Sequence, residues 1–350
     1  MILPSLHPGP GDRELLARLS DLIDSFGSPR IAVIGDLIAD EFIYGRIDRV
    51  SREAPVLIVN YDSTEVTPGG AGNAAQNVAS LGGAVRLVGL IGRDDMGRRL
   101  GRSFQRTVVR TGLVKLSGYH TPVKTRILAG GIHSARQQVV RVDRSGPVVT
   151  RDARRAVAEA AVAAVEGCDA VVVSDYGTGL VTPALVSAVK RRLPRRGRRA
   201  AAPILVDSRH GLLRYRGLTI STPNESEVEQ VLGITIGDSA QALERAGRAI
   251  LERTRMRATL ITRGGRGMAL FESGRPTQHI SIYGSDQVAD VTGAGDTVVA
   301  AMAMALSIGA SASEAALLAN YAGGLVVMKR GTATVNAGEL QRAVESDLRP

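Results

Sequence analysis

Apolar and polar positions follow two different rhythms along this chain. A short helix is expected at about 13–26, and Arg30-Ile-Ala-Val-Ile-Gly-Asp36 follows it as an unbroken apolar strand ending in Gly-Asp. Between about 41 and 67 the runs become shorter and are interrupted by polar residues, as in Glu41-Phe-Ile-Tyr-Gly45 and Pro55-Val-Leu-Ile-Val-Asn-Tyr61. The same texture returns in Val123-Lys-Thr-Arg-Ile-Leu128 and Gln137-Gln-Val-Val-Arg-Val-Asp143. These four segments are expected to form a small sheet projecting from the main body, a lid made of about 41–67 and 117–145. Its edges need a cover or a partner, which points to a homodimer through the lid. Between the lid pieces lie an Ala-rich helix at about 72–82 and the strand Ala84-Val-Arg-Leu-Val-Gly-Leu-Ile91. After them, strands at 170–175, 203–207, 218–221 and 259–262 alternate with helical stretches, the βαβ rhythm of a parallel sheet. A hairpin at about 267–283 and two final helices complete the reading. The fold class is α/β, with one large domain over 30–345 and an N-terminal helical extension at 1–29.

Composition supports buried parallel strands. The chain is 44% apolar but only 3% aromatic and has no Trp, so its core must be Val, Leu, Ile and Ala. The formal charge of +10 comes almost wholly from arginine, since only Lys115, Lys124, Lys190 and Lys329 are lysines. The densest basic run, 190–199, reads as a helix end and loop without aromatics to stack bases, so no nucleic-acid partner is expected. The positive field suits anionic substrates. Cys168 is the single cysteine, which excludes an internal disulfide, and it sits at the entrance of an apolar strand as a small buried hydrophobe. The first thirty residues do not read as an export signal and no segment reaches membrane length, so a cytoplasmic protein without a membrane partner is expected.

The segment Asp290-Val-Thr-Gly-Ala-Gly-Asp296 precedes a strongly apolar helix. Its glycines therefore lie at a helix N-terminus, where backbone amides can approach phosphate oxygens, and Gly293, Ala294 and Gly295 are the candidate anion hole. A carboxylate beside such a site is electrostatically awkward unless it accepts a proton, so Asp296 is a candidate general base; an N-cap role is the alternative. No Gly-Lys dipeptide occurs, so there is no P-loop, and the protein-kinase motifs are absent. Asp36, at a strand end, is a candidate ligand contact, with a turn or cap role as the alternative.

Gly69-Gly-Ala-Gly-Asn73 and the 290–296 segment, in this order and at this separation, resemble the two signatures of the ribokinase-like (phosphofructokinase B type) carbohydrate kinases. Gly35-Asp36, Thr222-Pro-Asn-Glu-Ser-Glu227 and Thr262-Arg-Gly-Gly-Arg-Gly267 resemble further elements of the family. The resemblance implies a three-layer fold with a mainly parallel central sheet and a small β lid. It also implies ATP and a small sugar or sugar phosphate as substrates, Mg²⁺, and room for a monovalent cation. Arg49-Val-Ser-Arg-Glu-Ala-Pro-Val56, Lys124-Thr-Arg126, Gln137-Gln-Val-Val-Arg-Val-Asp143, Ser174-Asp-Tyr-Gly177 and Lys329-Arg-Gly-Thr332 are similar to the heptose-7-phosphate kinase branch. That branch makes the 1,7-bisphosphate on the way to ADP-heptose. No His-x-Gly-His motif is present, so the kinase alone is expected. Thr178 and Arg209 stand where the branch usually carries lysines.

Carried residue by residue, the resemblance implies that Asp36 and Asn73 bond sugar hydroxyls, with Gly69 and Gly70 letting the backbone close on the ring and Asp175 nearby. Lys124, Arg126, Gln138 and Arg141 would meet a distal phosphate, though strand alternation prevents all four from pointing inward together. Asn224 and Glu227, three apart at a helix start, would hold Mg²⁺ through water or close a capping box, or do both. Thr262, Gly264, Gly267 and Asn320 would line the nucleotide.

Overall fold

The computed structural model describes residues 13–104, 108–130, 136–193, 201–284, 290–329 and 331–348. Helix α1 (Arg13–Asp24) leads into β1 (Arg30–Gly35), and β2 (Leu37–Val50) and β3 (Leu57–Gly70) then leave the body as an antiparallel pair. The chain returns through α2 (Ala71–Ser80), β4 (Ala84–Gly92), α3 (Asp95–Ser103) and β5 (Val108–Leu116), before β6 (Val123–Gly130) and β7 (Gln137–Arg144) extend the projection. Helix α4 (Arg151–Ala164), β8 (Ala170–Asp175), α5 (Pro183–Arg192), β9 (Ile204–Ser208), β10 (Ile220–Ser221), α6 (Glu225–Leu232), α7 (Ala240–Thr254) and β11 (Ala258–Thr262) follow in near-regular alternation. The hairpin β12 (Met268–Glu272) and β13 (Gln278–Ile280) precedes α8 (Ala294–Ser307), α9 (Ala312–Val327) and α10 (Ala337–Leu348).

The strands form two sheets. The central one runs β13-β12-β11-β10-β9-β8-β1-β4-β5, parallel from β11 to β5 with β12 and β13 antiparallel at one edge. Its strands alternate their side chains between two apolar cores. Ile31 and Val33 of β1 and Val172 of β8 enter the core shared with α1, α2, α8, α9 and α10. Ala32, Ile34 and Val173 enter the core shared with α4, α5 and α7. Helices on both faces explain why the strands read as continuous apolar runs, and they make this a three-layer α/β fold, as expected. The smaller sheet, ordered β3-β2-β6-β7, contains all four lid segments expected from the pattern.

Several details were not legible in the apolar pattern. Three helices, not two, end the domain, because the amphipathic α10 follows the largely apolar α8 and α9. Helix α1 packs against α10 and buries Leu16, Leu19, Leu22 and Ile23 in the main core. The lid strands run longer than their apolar runs, so β2 starts directly after Asp36 and β3 delivers Gly69 and Gly70 to the body. Lys190, Arg191 and Arg192 close α5, where cations complement the helix C-terminus; residues 194–200 of the Arg-rich stretch lie outside the described residues. Among the described residues no helix is long and apolar enough to cross a membrane.

Candidate active site

The body and the lid meet around the start of α8. Gly293 precedes that helix with φ 78°, a left-handed conformation favourable to glycine, and a Cβ there would overlap the Asn73 side-chain amide. The Ala294 amide turns back to the Val291 carbonyl at 3.2 Å, and the first helical bond runs from the Thr297 amide to the Gly293 carbonyl. The amides of Gly295 and Asp296 are thus left at the cleft without an intrahelical acceptor, as expected at a helix N-terminus. Ala294 lines the adjoining cavity.

Asp296 is 4% exposed and still lines the cleft. Asn73 Nδ2 donates to its Oδ2 at 2.8 Å and the Tyr176 hydroxyl to its Oδ1 at 3.1 Å. The Asn73 amide is itself oriented, since Asn77 Nδ2 donates to Asn73 Oδ1 at 3.2 Å and the Thr297 hydroxyl donates to Asn77 Oδ1 at 2.8 Å. Burial pushes the Asp296 carboxyl up to about 7, against the bonds from Asn73 and Tyr176 that pull it down. A carboxylate held by two neutral donors and poised near neutrality has the properties of a general base.

A polar cleft of about 490 Å³ opens from Asp296 toward the lid. Gly70, Lys124, Arg126, Arg141 and Asp175 line it, as do Asn224, Glu227, Gly293 and Gly295. Its cations are not equivalent. Arg126 is bound to Asp40 at 2.7 Å, both buried, and Arg141 holds Asp143 through two bonds of 2.8 and 3.1 Å. Gln138 is exposed on β7 and does not line the cleft. Gly69 has no room for a side chain because the Asp40 carboxylate occupies that space. Gly70 has φ 57°, and a Cβ there would lie 2.6 Å from the Asp36 carbonyl oxygen.

The structure gives Asp36, Asn73 and Asp175 protein partners. Asp36 accepts from the amides of Tyr176 and Thr178 at 2.8 and 3.3 Å and from the Thr178 hydroxyl, so both its oxygens are engaged beneath the cleft. Burial pushes its carboxyl up to about 6. Asp175 accepts from the Ser208 and Tyr215 hydroxyls at 2.8 and 2.6 Å and from the Gly177 amide at 3.1 Å, which fixes the loop that carries Tyr176.

A second, largely apolar cavity of about 340 Å³ adjoins the cleft, and Asn224, Thr262, Val291 and Gly295 line both. All five residues expected at the nucleotide, Asn224, Thr262, Gly264, Gly267 and Asn320, line this cavity. Asn320 Nδ2 donates to the Ser281 carbonyl at 2.8 Å, tying α9 to the segment after β13. Gly267 has φ 75°, and a Cβ there would overlap the Ile280 carbonyl oxygen.

Asn224 and Glu227 do close a capping box, each side chain accepting the other's amide at 2.9 Å, and they also face the cleft. Asp207 stands near them without an assigned role in the sequence reading. Burial raises its carboxyl well above the usual range, and the charges of Glu227, Asp296 and Asp175 push the same way. Burial also raises Glu227. Among the described residues no ion pair within 4 Å holds either carboxylate, though the charge of Arg209 acts on Glu227, and with the Asn224 side chain they offer oxygen donors of the kind a hard divalent ion takes. The signal for Asp207 was available: it lies at the C-terminal end of a buried strand, as Asp36 does. Tyr176 and Asn77 gave no such signal, because their importance comes from contacts with Asp296 and Asn73.

The chain is 39% identical over 315 residues to the bifunctional protein HldE of Pelobacter propionicus, covering 89% of this chain and 62% of that protein. It is 40% identical over 335 residues to the protein of the same name from Caulobacter vibrioides, covering 94% and 66%. The chain thus spans a little under two thirds of these curated relatives. Arabidopsis thaliana ribokinase, solved with ribose and ATP, superposes with a TM-score of 0.67 at 20% identity, covering 92% of this chain and 99% of that one. Escherichia coli phosphofructokinase-2, solved with potassium, gives 0.72 at 17% identity with the same coverage. These two likenesses are of fold. A pfkB family carbohydrate kinase model matches residues 28–337, and with glycine-rich turn, buried carboxylate and paired cavities all inside that span, the chain belongs to the pfkB family of carbohydrate kinases.

Proposed function

We propose that this kinase transfers the γ-phosphoryl group of ATP to the C1 hydroxyl of D-glycero-D-manno-heptose 7-phosphate, giving the 1,7-bisphosphate. The observation that carries the phosphotransfer is Asp296, buried where a polar cleft meets an apolar cavity and held between Asn73 and Tyr176. In this reading the apolar cavity takes the nucleotide and the polar cleft takes the sugar. Asp296 removes the proton of the attacking hydroxyl, and the amides of Gly295 and Asp296 stabilise charge on the transferring group. Asp207, Asn224 and Glu227 would hold Mg²⁺, which when bound supplies positive charge beside the phosphates. Asp290 accepts from the Thr292 amide at 2.9 Å and the Gly331 amide at 3.0 Å, a brace for the glycine turn beside which a monovalent cation would add charge.

The heptose assignment is supported by the branch-like segments at 49–56, 124–126, 137–143 and 174–177 and by identity of 39–40% to the HldE proteins. A cytoplasmic location belongs to the same reading, since ATP is the co-substrate. So does a homodimer through the lid, where Val139, Val140 and Val142 of the edge strand β7 and Leu57 and Tyr61 of β3 are exposed. A sedimentation profile that stays monomeric at micromolar concentration would exclude the dimer.

ADP release with ATP, Mg²⁺ and a panel of heptose 7-phosphate, fructose 6-phosphate, fructose 1-phosphate, ribose and adenosine tests the acceptor. Preference for the heptose phosphate by about a hundredfold in kcat/KM is the expected result. Preference for another sugar would retain Asp296 and overturn the heptose assignment, and Thr178, whose hydroxyl bonds Asp36, would be the first residue to reconsider.

A further inference from the structure

The turn Thr262-Arg-Gly-Gly-Arg-Gly267 borders the apolar cavity, and Gly264, Gly265 and Gly267 all line it. Its two arginines line neither that cavity nor the polar cleft. Beside a nucleotide, Arg263 and Arg266 would ordinarily be read as phosphate contacts. The structure turns both onto one carboxylate instead. Glu225 accepts from Arg263 Nε through Oε2 at 2.7 Å and from Arg266 Nη2 through Oε1. It is buried at the first helical position of α6, directly after Asn224.

The same two guanidiniums reach the connection between α6 and α7. Arg263 Nη2 and Arg266 Nη1 donate to the Gly237 carbonyl at 3.1 and 2.6 Å, and Arg266 Nη1 donates to Asp238 Oδ1 at 3.0 Å. One staple therefore joins the turn, the start of α6 and the loop at 237–238, with the Thr262 amide bonded to the Pro223 carbonyl at 3.0 Å alongside. The turn needs such a hold. Half of its residues are glycine, which loses the most conformational freedom on being ordered. Among the described residues nothing lies within 4 Å of where a Cβ would stand on Gly264 or Gly265. What leaves room for a ligand also leaves this backbone without packing, so its shape has to be set from behind.

We propose that Glu225, acting through Arg263 and Arg266, is a positioning residue for the nucleotide: it holds the glycine turn in its binding shape before the nucleotide arrives. Glu225 itself touches no substrate. The proposal rests on the assignment of the nucleotide to the apolar cavity and adds the device that keeps that cavity formed. A turn ordered in advance lowers the ordering cost of binding, and the planar forks of two arginines fix direction as well as charge. Removing the carboxylate would leave Arg263 half-buried without its anion.

The test compares the whole protein with its Glu225→Gln, Arg266→Ala and Arg266→Lys variants by three readouts: calorimetric Kd for ATP with Mg²⁺, KM for the sugar acceptor, and amide hydrogen exchange of residues 262–267 without nucleotide. In Glu225→Gln the Kd for ATP should rise roughly tenfold while KM for the acceptor stays within about twofold. The turn should exchange faster until ATP is added. Arg266 is exposed, so Arg266→Ala should show the same pattern in smaller measure and keeps the test open if Glu225→Gln fails to fold; Arg266→Lys should recover part of the loss. Unchanged exchange would overturn the staple, and faster exchange with unchanged ATP affinity would overturn its role in binding. Equal losses for ATP and acceptor would reduce Glu225 to general stability and overturn the proposal too. Faster exchange with the loss confined to the acceptor would instead show that the cavities had been assigned the wrong way round. If the unaltered protein binds no ATP, the kinase reading falls first and takes the proposal with it.

Discussion

The two cavities that meet at Asn224, Thr262 and Gly295 are walled by different means. The polar cleft is lined by charged side chains drawn from the lid, from β8 and β9 and from two helix starts, with Arg126 paired to Asp40 within it and Arg141 held by Asp143 beside it. The apolar cavity is lined mainly by glycines and by Met268, Ile282, Val298 and Val327. With the acceptor in the first and the nucleotide in the second, as proposed, one would recognise by placing charge and the other by leaving space. Charge placement depends on residues far apart in the chain, whereas space is left by small residues within short segments. The acceptor side should therefore be easy to retune by substitution and hard to read, and the nucleotide side the reverse.

The largest effect is expected where the cavities join. Asp296→Asn should lower kcat by roughly 10²- to 10⁴-fold while calorimetric ATP binding changes little; near-full turnover would remove Asp296 as the base. Next, Asp207→Asn should weaken Mg²⁺ activation by about 10- to 100-fold, read as a shift of the metal titration at saturating acceptor. An unchanged titration would take Asp207 out of the metal set.

On the nucleotide side, Gly323→Leu places a side chain into the apolar cavity. It should raise KM for ATP by about tenfold or more while KM for the sugar stays within about twofold. Equal rises in both would mean that the cavities are not separable.

The smallest effect is a shift in pH. Asp296 titrates at about 7, so kcat/KM should rise through that pH as the carboxylate loses its proton and level off above it. Asn73 donates to the charged form and holds the value down, so Asn73→Ala should move the rising limb to higher pH. A limb that stays in place would mean that another group governs the profile.

The alternation of apolar strands and helices, the parallel sheet and the four lid segments were all legible in the chain, because each depends on residues within a few positions of one another. The same holds for the glycine turn before α8 and the capping box of Asn224 and Glu227, whereas the five residues that line the apolar cavity were expected together only from the family resemblance. Helix α10 was harder to see, since its amphipathic pattern needs the packed faces of α1 and α9 to become a core. What only the tertiary structure decided is which side chains meet. Asn73 and Asp296 are 223 positions apart, and the sequence offered each a role but not each other. Asp36 was read as a sugar contact, and only the structure shows that its two oxygens accept from the Tyr176–Thr178 loop. Arg126, Arg141 and Lys124 looked alike on the lid strands until Asp40 and Asp143 neutralised the first two. Backbone conformation is written in neighbouring residues, while the electrostatic state of a charge is set through space by whatever the fold brings beside it.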